Sequence, residues 1–164
     1  MNHVSRFRMF SFVAAAVRRL NEARMPVFVI TNQSGVGRGY IPESFVKTIH
    51  DLMSEQLAAR DARIDGFYYC PHTAADACDC RKPKPGMLER AARDHSLDLK
   101  RSYVVGDRHV DVELADRVGA RGVFVRTGYG EGELAWHKAN WPRQPDYVAK
   151  DLREATDWIL GQMK

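Results

Sequence analysis

No cysteine occurs before residue 70 or after residue 80; all three thiols of the chain lie in that one stretch. Thiols spread along the chain, as a disulfide framework needs, are therefore excluded. Long apolar runs are also missing. The opening "MNHVSRFRMFSFVAAAVRRL" has basic residues before an apolar stretch, but that stretch, 12–17, stops at Arg18 and Arg19. It is too short for a signal-peptide core, lacks a cleavage site and reads as part of an amphipathic helix. Nothing approaches the roughly 20 apolar residues of a membrane span. Clustered basic tracts are absent too: 25 Lys and Arg against 21 Asp and Glu, a net charge of +4, are scattered along the chain. That balance permits anionic ligands and gives no footprint for nucleic acid. Repeats, low-complexity segments and linkers are lacking. What is present is a 164-residue chain, 45% hydrophobic and 28% charged, enough for one globular core. The composition predicts a single domain over 1–164 in the cytoplasm, with reduced thiols and no membrane or nucleic-acid partner. A monomer is expected.

Hydrophobic spacing predicts a helix over 10–23, with Phe12, Val13, Ala16, Val17 and Leu20 on one stripe. The unbroken apolar run of "MPVFVIT" predicts a strand buried on both faces. "NQSGVGRGY" then reads as a loop, and Pro42 opens the next helix, whose stripe is Phe45, Ile49, Leu52, Met53 and Leu57. "IDGFYYC" is a second strand. A helix over 86–95, the strand "SYVVGD", a helix over 109–118 and the strand "GARGVFVRTG" follow. A polar stretch holds Trp136 and Trp141; "PDYVA" is a short edge strand, and Asp151 caps a last helix. Strands alternating with helices at this pitch predict an α/β fold, Rossmann-like, with a mainly parallel sheet flanked by helices. The order starts on a helix, with no strand ahead of it.

Cys70, His72, Cys78 and Cys80 form a Cys-x-His-x5-Cys-x-Cys pattern. Three thiolates and an imidazole complete the tetrahedral shell of Zn2+, and a closed shell makes such a zinc structural. A disulfide would leave an odd thiol, and buried core cysteines would not sit among Pro, His, Thr and Asp. The Cys-x-Cys half departs from the Cys-x2-Cys of common nucleic-acid fingers.

Three further segments carry polar groups at strand ends, where open parallel sheets bind ligands. "ITNQSGVGRG" puts Thr31 and Asn32, followed by the amides of Ser34 and Gly35, where a strand stops. Such a turn suits a phosphate, although a polar, locally capped turn explains it equally well. "VVGDRHVD" puts Asp107 just past Gly106 and Asp111 four residues on. Asp107 suits Mg2+, or a helix cap. Arg81 and Lys82 follow the thiol loop directly, placed to bind phosphate oxygens, or to be solvated surface charge. Lys84, His95 and His109 read as surface or capping residues.

Taken in order, "TNQSGVGRG", "YYCPHTAADACDCRKPKPGM" and "SYVVGDRHVDVELA" resemble the haloacid dehalogenase-like phosphatases, in the branch with a zinc loop and no separate cap domain. "KPGM" and the ending "RTGYGEGE…DYVAKDLREATDWIL" are more similar to the members acting on a heptose bisphosphate than to those acting on histidinol phosphate. The resemblance implies that Thr31 and Asn32 bind phosphate and Arg81 contacts the substrate, a phosphorylated sugar. It implies that Lys82 holds the phosphate and the charge of the nucleophile, that Asp107 binds Mg2+ and that Asp111 supports that site. Cys70, His72, Cys78 and Cys80 would hold the structural zinc of the loop 70–80. Thr31, Lys82 and Asp107 are expected to converge on one anion pocket.

Members of that family open on a strand ending in Asp-x-Asp-Gly-Thr, whose first carboxylate attacks phosphorus to give an aspartyl-phosphate and whose second moves the proton. No Asp-x-Asp occurs anywhere in this sequence. The first, central strand of the family fold is thus expected to be missing, leaving backbone groups unpaired. "MNHVSRFRMF", with Arg6 and Arg8, is a poor substitute for an apolar strand. A chain shortened relative to the working enzyme is one expectation; it predicts that about 25–30 further residues, a strand and its following flap, would restore phosphate-ester hydrolysis. A non-catalytic protein that retains phosphate and metal contacts is the other.

Overall fold

The structure, a computed structural model, describes residues 4–163. It divides into two compact units, Met1–Arg81 and Lys82–Lys164.

In the first unit, α1 (Val13–Glu22), β1 (Phe28–Asn32), the single turn α2 (Ser34–Gly37), α3 (Glu43–Ala58) and β2 (Gly66–Cys70) follow in that order. α1 buries Ala16, Val17 and Leu20 of the expected stripe and Ala14 beside them, while Phe12 and Val13 are half-buried. β1 and β2 pair in parallel, with Phe28 opposite Gly66 and Asn32 opposite Cys70. That register sets the turn after Asn32 level with the start of the cysteine loop. Asp65 extends the ladder below the strands: its carboxylate accepts from Val27 N at 2.7 Å while its own amide donates to Val27 O at 2.7 Å.

The second unit runs α4 (Gly86–His95), β3 (Tyr103–Gly106), α5 (His109–Arg117), β4 (Arg121–Val125), α6 (Gly130–Trp136), β5 (Tyr147–Ala149) and α7 (Leu152–Gly161). Its strands are all parallel, in the order β3-β4-β5. Gly106 stands opposite Phe124, so β3 and β4 finish on the same rim. Val112, Phe124 and Trp141 pack together as a core, backed by Leu134 and Val148. Asp151 caps α7 as expected, accepting from the amides of Arg153 and Glu154.

Two expectations are corrected. β1 is half-buried at every position instead of buried on both faces. Its only hydrogen-bonded neighbour among the described residues is β2. A strand with one open side stays accessible along that side, and β3, paired among the described residues with β4 alone, is likewise half-buried throughout. β4, flanked on both sides, is buried at every position but its first. The second correction is that residues 34–37 of the expected loop coil into the turn α2. Residues 4–6 form a 3-10 turn and do not replace the strand. Among the described residues, no helix is long and apolar enough to cross a membrane.

Candidate functional site

In the first unit the cysteine loop closes on itself. Sγ of Cys70 lies 3.6 Å from both His72 Nδ1 and Cys78 Sγ. Cys80 Sγ lies 3.3 Å from His72 Nδ1 and 3.5 Å from Cys78 Sγ. All four ligand atoms fall within 4.8 Å of one another. With Zn–S near 2.3 Å and Zn–N near 2.0 Å, the edges of a tetrahedron are about 3.5–3.8 Å. The cluster can therefore hold a zinc ion with little movement.

The chemistry agrees. Burial pushes the Cys70 thiol up to about 12, with hydrogen bonds from Cys80 and Cys78 acting in the same direction. Cys78, whose own desolvation opposes ionisation, is drawn down to about 7 by hydrogen bonds from Cys80, Cys70 and nearby amides. Three crowded thiols cannot all ionise without a cation among them, and a divalent ion supplies it.

The five residues between His72 and Cys78 explain the closure. Thr73 donates from its amide (2.6 Å) and hydroxyl (2.8 Å) to Asp76 Oδ2. The chain makes one 3-10 turn over Ala74–Asp76 and reverses at Ala77, where φ is +47°. A Thr-x-x-Asp capping pattern was the readable signal for this turn. Arg81, next in line, donates from Nη1 to His72 O at 3.1 Å, so part of its guanidinium braces the loop.

The turn after β1 is latched to the same loop. Gln33 N donates to Cys70 O at 2.7 Å, and Gly37 N donates to Pro71 O at 3.0 Å. A Cβ at Gly37 would stand 2.7 Å from Pro71 O, so only glycine allows that approach. Thr31 Oγ1 accepts from Gln33 Nε2 at 3.1 Å. The segment bearing Thr31 and Asn32 is thus tied at two points to the cluster that can bind zinc.

In the second unit, Lys82 Nζ donates to Asp111 Oδ1 at 2.6 Å, the side chains being 15% and 7% exposed. Asp111 sits in the first turn of α5, and its Oδ2 accepts from Arg108 N at 3.2 Å. A Cβ at Gly106 would lie 2.3 Å from the Asp111 carboxyl carbon, so the glycine ending β3 opens the space that Asp111 fills. Asp107 follows Gly106, at the carboxyl end of β3. Its Oδ2 accepts from Tyr129 N at 2.8 Å. That bond sets the carboxylate plane and leaves Oδ1 able to act as one hard oxygen ligand for Mg2+.

Sequence reasoning missed Glu133, and with it the partner of His109. Buried Glu133 takes Arg108 Nε on Oε1 at 3.3 Å. Its Oε2 is 3.0 Å from His109 Nδ1 and 3.4 Å from His109 N. His109, its side chain 37% exposed at the start of α5, is thus a surface residue as read, but one paired with a buried carboxylate and stacked on Trp141, with ring centres 6.4 Å apart. Burial alone would raise the Glu133 carboxyl, but the hydrogen bonds of His109 and the charges around it outweigh that and hold it below its ordinary value. No motif announces a carboxylate that sits 24 residues from its partner; only folding pairs them. His95 lies in the last turn of α4, exposed, as read.

Comparison with known proteins agrees with this geometry. A family described as HAD-hyrolase-like matches residues 79–155. A D-glycero-D-manno-heptose-1,7-bisphosphate 7-phosphatase of Thermosynechococcus vestitus is 41% identical, over 92% of this chain and 82% of its own length. The D-glycero-beta-D-manno-heptose-1,7-bisphosphate 7-phosphatase of Escherichia coli K12 is 38% identical, over 99% of this chain and 81% of its own. Among solved structures, a D,D-heptose 1,7-bisphosphate phosphatase from B. bronchiseptica, complexed with magnesium and phosphate, superposes with a TM-score of 0.89 at 32% identity. That alignment covers 98% of this chain and 88% of the other. The chain belongs to the haloacid dehalogenase-like phosphatases, phosphomonoester hydrolases, in the zinc-loop branch it shares with the heptose-1,7-bisphosphate 7-phosphatases.

Proposed function

We propose that this chain binds a phosphorylated sugar of the heptose 1,7-bisphosphate kind together with Mg2+, and that its 164 residues alone do not turn it over. The observation that carries the reading is the Lys82–Asp111 pair, held out of solvent by Gly106 one residue before Asp107. A cation and two carboxylates kept at one strand end by packing are suited to a phosphate and its metal ion. In this reading Asp107 is the Mg2+ ligand and Asp111 orients Lys82, which meets the phosphate. Thr31 and Asn32 offer a hydroxyl and an amide to phosphate oxygens, and Arg81 contacts the rest of the substrate. Mg2+, when bound, neutralises charge on the phosphate. The loop 70–80 holds a structural zinc, which fixes where Arg81 begins. In this reading the site belongs to a cytoplasmic monomer that binds a small molecule.

Covalent phosphate transfer in this family needs the Asp-x-Asp pair, and this sequence has none. Without a nucleophile and a proton carrier, binding groups alone give no route to hydrolysis. A non-catalytic binding role for the 164 residues follows. Calorimetry with heptose 1,7-bisphosphate and Mg2+ tests the ligand, with histidinol phosphate as the competitor. Phosphate release tests turnover. Binding of the heptose ester, absent when Lys82→Ala is used, with no release above buffer, is expected. Equal or tighter binding of histidinol phosphate overturns the substrate assignment. Release at the 1–1,000 per second usual for enzymes, on the order of magnitude, overturns the non-catalytic one.

A further inference from the structure

The segment after β4, "RTGYGEGE", which runs into the first turn of α6, touches the site at Asp107, Arg108 and His109. Three features bring it against the turn that follows β3. Tyr129 N donates to Asp107 Oδ2 at 2.8 Å. The Arg108 guanidinium lies over the Tyr129 ring, 5.2 Å from its centre. Glu133, with a side chain 8% exposed, takes Arg108 Nε on one oxygen and both His109 Nδ1 and His109 N on the other. The approach is close enough to constrain the sequence. Gly128, at φ +66°, would place a Cβ 2.1 Å from Asp107 Oδ2, and Gly130 would place one 2.1 Å from Val125 O.

We propose that Glu133 is the positioning residue of the Mg2+ site: by holding the main chain at His109 and the side chain at Arg108, it fixes the turn from which Asp107 projects. Asp107 is bound at one oxygen by one amide, which sets the carboxylate plane but not the turn beneath it. Glu133 supplies that second restraint. A buried carboxylate with three donors aimed at it is an expensive arrangement unless all are kept, and here each donor belongs to the two residues immediately after Asp107. Exposed Glu131, on the same helix, has its carboxylate 3.6 Å from Arg126 Nη1 and, among the described residues, forms no ion pair with Arg108 or His109. This inference rests on reading Asp107 as the Mg2+ ligand.

The test uses the full chain, 15N-labelled, as parent and as Glu133→Gln, Glu133→Asp and Glu131→Gln. Two quantities are read: amide hydrogen exchange without metal, and Mn2+ affinity from paramagnetic broadening of the signals of residues 106–111. Glu133→Gln keeps one acceptor and loses the charge; Glu133→Asp is a methylene too short to reach both partners. In each, the amides of Arg108 and His109 are expected to exchange about tenfold faster while those of β4 and α7 keep their protection. Mn2+ affinity is expected to fall about tenfold or more, as for other groups that orient a metal ligand. Glu131→Gln is expected to match the parent. Unchanged exchange at His109, or an equal loss of protection throughout the second unit, would show Glu133 to be packing only and overturn the proposal. So would unchanged Mn2+ affinity in a variant whose turn has loosened. Failure of the parent itself to bind Mn2+ near Asp107 would remove the metal assignment of Asp107; the exchange result would then decide whether Glu133 holds the turn.

Discussion

Lys82 Nζ stands 2.6 Å from Asp111 Oδ1, and neither side chain is more than 15% exposed. A lysine joined to a turn of zinc-type loop and an aspartate on a helix, 29 residues apart in sequence, become one buried ion pair. Buried pairs contribute little net stability, because desolvation offsets the attraction, but removing one partner strands the other charge.

Lys82→Ala is therefore expected to destabilise the protein by about 3–5 kcal/mol, the usual cost of leaving one buried charge unpaired. Urea unfolding at neutral pH measures it. The double variant Lys82→Met with Asp111→Leu is expected to recover most of that loss, because no charge is left behind. A double variant no more stable than Lys82→Ala would show that the pair is not the source of the effect.

Replacing Gly128 tests the contact between the β4–α6 segment and Asp107. Gly128→Ala puts a side chain into left-handed backbone, costing about 1–2 kcal/mol, and presses a Cβ against Asp107 Oδ2. Both the thermal midpoint and the Tyr129–Asp107 hydrogen bond should suffer. A Gly132→Ala control, where a Cβ meets nothing within 4 Å, should leave both as they are or improve stability. Equal behaviour of the two variants would dispose of the contact argument.

Metal analysis of the purified chain should find about one zinc per molecule, matching a closed shell of four ligands. Chelation, or Cys78→Ser, is expected to free the loop 70–80 and to loosen the turn after β1, since Gln33 and Gly37 donate to the carbonyls of Cys70 and Pro71. Amide exchange at Gln33 and Gly37 reports this directly. Protection that survives chelation would mean that the loop keeps its shape without an ion.

The pH dependence of stability follows from Glu133. Its carboxyl is held below the ordinary value, near 4.3. A folded-state pKa lower than the unfolded one gives stability that is complete above the ordinary value and is lost as pH falls through the depressed one. The parent should therefore lose stability on acidification below about pH 4.3 more steeply than Glu133→Gln. Unfolding free energies measured between pH 7 and pH 3 decide it; parallel curves would show that the pairing with His109 carries no linkage.

Much of the architecture was legible because it rests on local rules. Most of the stripe of α1, the apolar run of β4 and the cap at Asp151 are each specified within one segment, and each forms there. The four-residue cluster that can hold zinc was legible for the same reason: Cys70, His72, Cys78 and Cys80 lie within one loop, and spacing sets their reach.

What the amino-acid order determined alone was everything that a short span of backbone can enforce: helix faces, strand runs, caps and the ligand loop. Only tertiary structure decided that Lys82 would neutralise Asp111 and that Glu133 would take hold of Arg108 and His109. Such pairings depend on which strand ends share a rim and on how far glycine lets two segments close, and charge carries no spacing code across 24 or 29 residues. A buried carboxylate and an exposed one read the same as letters; burial and partner geometry, set by packing, give them different chemistry.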